Sequence, residues 1–147
     1  MKAVKKIKEA CFLACIKSFL EDHNILITQE EMINQLVQKG LCTNQGVVYV
    51  GKEEAACLLF NIRFSDVPYH YPINSAHEDG SLLIGTWKEQ EHCMRFYKQE
   101  KGKIIVMNPE SGELECWDEW LIEKEHPNYH KIELLSETTD TKKSERK

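Results

Sequence analysis

The chain has 147 residues, 41% hydrophobic and 29% charged, with a formal net charge of −5. That length fits one domain with a real core, and the acidic balance excludes nucleic acid as the main partner, because phosphate binding needs a basic face. Six scattered cysteines (Cys11, Cys15, Cys42, Cys57, Cys93 and Cys116) contain no Cys-x-x-Cys pair, which gives neither a zinc signature nor a disulfide framework and points to free thiols in a reducing compartment.

Lys2, Lys5, Lys6 and Lys8 open the chain ahead of a short apolar run from Ala10 to Ile16. Phe12-Leu13-Ala14-Cys15 resembles a lipoprotein cleavage box, but the run sits at the bottom of the range for an export signal, so a cleaved signal peptide is not predicted. The expected location is the cytoplasm, or delivery by a secretion system that needs no cleavage. No stretch approaches the length of a bilayer span.

Helical spacing of apolar positions runs from Val4 to Glu21. Thr28 with Glu31 makes a capping box for a second helix, whose buried face is Met32, Ile33, Leu36 and Val37 and whose end is Gly40. Gly46 to Gly51 reads as a turn or short extended piece, and Lys52 to Phe60 as a third helix. The pattern then turns β-rich: Ile62–Val67, Ser81–Trp87, His92–Lys98, Lys103–Asn108 and Glu113–Trp117 are short strands between polar turns, the last three an antiparallel meander. Asp118 to Glu125 reads as a short helix stopped before Pro127, and Tyr129 to Leu135 as a final strand. Trp117, Trp120 and Leu121, at helical spacing, are expected in the core. Helices followed by a meander predict an α+β domain over 1–135, with a disordered polar tail over 136–147.

Three positions carry candidate chemistry. Cys11 lies at a possible helix start, where unpaired backbone N–H groups favour a thiolate and offer donors to an oxyanion. If the helix begins near Ala3 instead, Cys11 is a small core residue. His92 opens a strand, a fixed platform from which an imidazole reaches a cleft; the alternative is a surface or satisfied core histidine. Asn108 ends the next strand, where an antiparallel pairing can set it beside His92 as an orienting group, or where Asn-Pro simply forms a turn. A thiol, an imidazole and an amide in that chain order are the parts of a thiol hydrolase site. His126 and His130 are four apart, but Pro127 between them spoils a shared helical face for metal. The N-terminal lysines read as a solvated face that also raises the potential around Cys11.

These residues resemble a known family. Cys11-Phe12-Leu13-Ala14-Cys15 is similar to the Cys-Gly-x-Ala-Cys helix start of the papain-like cysteine peptidases that clip double-glycine leaders from bacteriocins. His92-Cys-Met-Arg-Phe-Tyr is similar to their His-Phe-Val-Val strand, and Met107-Asn108-Pro109-Glu110-Ser111-Gly112 to their Asp-Pro-x-x-Gly turn, with Trp117 to Trp120 where they place a Phe-Trp-rich helix. The resemblance covers Val4 to Leu121. It implies a papain-like fold, Cys11 as nucleophile, His92 as general base, Asn108 as orienting residue, a peptide or protein substrate, and no metal or organic cofactor. Two positions depart from the pattern. Lys5 stands where the family keeps an oxyanion-donating glutamine, which makes Lys5 the oxyanion candidate here, and Phe12 replaces the glycine after the cysteine. Compact domains of this kind also occur among bacterial effectors that cleave or deamidate proteins. The implied function is a cysteine peptidase acting through an acyl-thioester; the alternatives are glutamine deamidation by the same three residues, or a peptide-binding domain without catalysis.

Overall fold

The computed structural model describes residues 1–65, 81–87, 90–126 and 128–135. The tail expected over 136–147 and the end of the strand expected over Ile62–Val67 lie outside the described residues. In chain order the elements are α1 (Cys11–Asp22), α2 (Gln29–Gln38), α3 (Glu53–Leu59), β1 (Ile62–Ser65), β2 (Leu82–Trp87), β3 (Gln90–Glu100), β4 (Lys103–Asn108), β5 (Glu113–Asp118), α4 (Glu119–Glu125) and β6 (Asn128–Leu134).

Of the two starts open to α1, the structure takes the later. Lys8 adopts φ +50° and the Glu9 N–H donates to the Gln45 carbonyl at 3.0 Å, so the chain cannot coil before Ala10. The N-cap half of the capping box forms: Thr28 Oγ1 accepts from the Glu31 N–H at 3.0 Å. At the other end Gly40, at φ +72°, closes α2 with bonds from its N–H to Val37 and from the Leu41 N–H to Leu36. That is a Schellman ending, and it needs the left-handed residue glycine supplies.

The six strands form one antiparallel sheet in the order β1-β6-β2-β3-β4-β5. The last strand thus enters the middle, separating β1 from β2. One face carries α1, α2 and α3 over a core that includes Leu13, Ile16, Leu20, Met32, Leu36, Ile62, Leu82, Cys93 and Met107. The other face carries α4 over Leu83, Met94, Phe96, Ile104, Val106, Ile122 and Tyr129. This is the expected α+β arrangement. Among the described residues no helix is long and apolar enough to cross a membrane.

β3 separates the two cores by its period of two. Cys93 and Arg95 face α1: the Cys15 thiol donates to the Cys93 carbonyl at 3.4 Å, and Arg95 Nη1 donates to Ser18 Oγ at 2.7 Å and Asp22 Oδ2 at 2.8 Å. Met94 and Phe96 face α4. A bulge between Phe96 and Lys98 ends the alternation. Trp117 packs against the second core as expected, but the expectation that Trp120 is core needs correction. Trp117 belongs to β5 and is half-buried, and Trp120 is 61% exposed. The strand–helix boundary at Asp118 falls between them, so no single helical face contains both.

Candidate functional site around Cys11 and His92

Cys11 is the first residue of α1, with Ala10 as its cap. Its half-buried thiol lies against the backbone of β3, with Sγ 4.0 Å from the Glu91 carbonyl oxygen. It opens on a cavity of about 390 Å³ walled by Phe12, Val47, Val48 and Ile84 and edged by Glu9, Glu53 and Glu91. Burial pushes the Cys11 pKa up to about 11, helped by the neighbouring Cys15 and the Glu91 carboxylate. The Cys93 N–H and the Lys6 ammonium pull the other way and are outweighed. Near neutral pH this group is a thiol, which is a poor nucleophile.

His92 leaves β3 on the opposite face. It pairs across the ladder with Gly85, and a Cβ built on Gly85 would lie 1.9 Å from the Glu125 carbonyl oxygen and 2.5 Å from the His126 Cα. Residues directly opposite share a face, so His92 and Gly85 both look toward the end of α4. The imidazole is buried there, with Nε2 3.0 Å from Asn108 Oδ1 and Nδ1 2.9 Å from His126 Nε2.

The network fixes who donates. Asn108 Oδ1 accepts from the Glu110 N–H at 3.0 Å, and Asn108 Nδ2 donates to Glu115 Oε1 at 3.0 Å. Asn108 therefore accepts from His92 Nε2–H, neutral His92 keeps Nδ1 as its acceptor, and His126 Nε2–H donates to it. Burial lowers the His92 pKa despite the Asn108 bond, and burial with the His92 neighbour lowers that of His126 to about 3. Burial opposes ionisation of Glu115 as well, yet hydrogen bonds from Ser111, Asn108 and Trp117 hold its carboxyl below the ordinary range.

The structure thus brings His92 and Asn108 together, as the strand pairing predicts, and does not bring Cys11 to them. The thiol touches the peptide backbone beside His92 while the ring projects away, with both nitrogens bonded elsewhere. Lys5, the oxyanion candidate, is tied down through its backbone. Its side chain is exposed, its carbonyl accepts from Gln29 Nε2 at 2.8 Å, and its backbone packs on Gly112, where a Cβ would come within 3.0 Å of the Lys5 Cα. Lys6 is the cation whose field reaches Cys11, and it is bridged to Glu110 at 2.8 Å and to Glu9 at 3.8 Å. Sequence reasoning missed three participants, Glu53, Glu91 and the pairing of His126, whereas Lys6 belongs to the N-terminal lysines expected to raise the potential around Cys11. Only His126 left a signal. A glycine inside the apolar Leu82-Leu83-Ile84-Gly85 run marks a close backbone approach, and what approaches is the Glu125-His126 segment.

No family model matches this chain, and no curated protein matches it either. Among solved structures it is similar to the peptidase domain of Streptococcus ComA, a bi-functional ABC transporter involved in a quorum sensing pathway. The TM-score is 0.72 at 13% identity, covering 90% of this chain and 96% of that one. At that identity the likeness shows the fold, which is papain-like.

Proposed function

We propose that this domain holds an extended peptide or protein segment at the Cys11 cleft without cutting it. One observation carries the reading: the only acceptor nitrogen of His92 is taken by His126 on the far face of the sheet, while the thiol it would have to deprotonate is pushed up to about 11. A cysteine hydrolase needs its base within hydrogen-bond reach of the sulfur. What survives of the fold's peptide-handling design is a roomy, largely apolar cleft at a helix start.

A second reading keeps the hydrolase. Two features favour it: Cys11 does begin α1, and His92 does bond Asn108 at 3.0 Å. In that reading Cys11 attacks a peptide carbonyl and expels the amine to form an acyl-thioester that water then hydrolyses; in the deamidase version the amide is a glutamine side chain and ammonia leaves. His92 carries the proton and Asn108 orients the ring. It requires the first residues of β3 to turn the imidazole to the thiol's side.

Alkylation separates the two. Iodoacetamide should label Cys11 slowly, at a rate climbing about tenfold per pH unit between roughly pH 6 and pH 9, because the thiolate fraction climbs that way below the pKa. Intact-mass analysis of a peptide mixture left with the protein should show neither fragments nor the roughly one-dalton gain of deamidation. Selective labelling of Cys11 that levels off near neutral pH, or products that vanish with Cys11→Ala, would establish the hydrolase instead.

A further inference from the structure

The Cys11 cavity is apolar along its walls and anionic at its edge. Phe12, Val47, Val48 and Ile84 supply the walls; Glu9, Glu53 and Glu91 supply carboxylates. Glu9 is already engaged by Lys6. Glu53 and Glu91 are not: among the described residues no lysine or arginine is paired with either, and Glu53 Oε1 accepts only from the Gly51 N–H at 3.0 Å. Burial holds the Glu91 carboxyl above its ordinary range, and the Glu53 carboxylate adds to this. Both carboxylates line the same cavity and repel each other, and a cation bound there would relieve that cost.

The surface beside the mouth is apolar as well. Val47 is 39% exposed, Tyr49 47% and Val50 86%, all in the turn that also forms one wall. Three consecutive-neighbourhood side chains of this size, left open next to a cavity, suit a bound chain better than water.

Resting on the binding reading above, we infer that the Cys11 cavity takes the side chain of a lysine or arginine from an extended peptide whose flanking residues are apolar. The aliphatic stem lies along Phe12, Val48 and Ile84, the charged head reaches Glu53 and Glu91, and the neighbouring residues cover Val47, Tyr49 and Val50. Long basic side chains have this divided character, an apolar stem with a polar tip. The cavity volume of about 390 Å³ is within the range of sites that enclose a small ligand.

The test uses four blocked peptides of the form Ala-Val-X-Val-Ala, with X lysine, arginine, norleucine or glutamate, titrated against the whole chain by calorimetry. Lysine and arginine should bind about tenfold more tightly than norleucine, the size of one well-placed charge interaction, and glutamate should bind most weakly. Glu53→Gln with Glu91→Gln should remove the preference for lysine and arginine over norleucine. If that variant fails to fold, the wild-type preference should still fade as the pH is lowered and Glu91 is protonated. Equal affinity for lysine and norleucine would overturn this assignment while leaving peptide binding intact. No binding by any of the four would overturn both.

Discussion

Replacing His126 with glutamine gives a direct measure of the buried histidine pair. The folded state holds His126 at a pKa of about 3 against 6.5 for a free histidine, through burial and its His92 neighbour. A depressed folded pKa means that the unfolded chain takes up the proton first. The contribution is therefore fully present above about pH 6.5 and drains away as the pH falls toward 3. Each proton bound only by the unfolded state tilts stability by about 1.4 kcal/mol per pH unit, so between about pH 7.5 and pH 4.5 the titration of His126 costs on the order of 3 kcal/mol. His92, lowered in the same direction, adds to the loss. His126→Gln keeps an N–H donor for His92 Nδ1 and removes one titration. Urea midpoints measured across this range should fall more steeply for the wild type, by roughly 3 kcal/mol at the acid end, with unchanged m-values. Parallel curves would refute the burial and the bonding geometry assigned to His126.

Gly85→Ala should be among the most damaging single-methyl changes in the chain. The new Cβ would overlap the Glu125 carbonyl oxygen, a backbone atom that cannot swing away. A loss of about 3 kcal/mol in urea unfolding is expected, together with a downfield or upfield shift of the His92 ring resonances as the α4 end is pushed off. Arg95→Ala strips the buried guanidinium from Asp22 and Ser18 and its stacking over Phe19, 5.6 Å from the ring. Asp22 keeps partial contact with water, so the cost should be near the lower end for a broken buried pair, about 3 kcal/mol by thermal or urea unfolding.

Local signals carried most of the fold. The Thr28 capping box, the Gly40 stop, the three-strand meander and the helix before Pro127 were all legible, because each depends on residues a few positions apart. The start of α1 was not: apolar spacing from Val4 continues through residues whose N–H groups bond to Gln45 and Pro109, partners far along the chain. The Cys11–His92 relation was illegible for a similar reason. Chain order and strand ends place both near one end of β3, but the side of the sheet a residue faces is a matter of parity. Glu91 and Cys93 share Cys11's side, and His92, between them, does not. His126 was signalled only through Gly85: as a residue four before His130 it invites a metal reading, whereas its partner lies on β3.

The placement of β6 has a consequence for biosynthesis. β1 and β2 make no ladder with each other; each pairs with β6, which follows the other five strands of the sheet in the chain. Until residues 128–134 have emerged, β1 waits with an open edge and the sheet exists only as the β2–β5 half. A nascent chain stalled before that point would leave the edge of β1 unpaired and the core around Ile62 and Phe64 without Ile132 and Leu134, which makes β6 the keystone of the sheet and the stage before its arrival one exposed to aggregation.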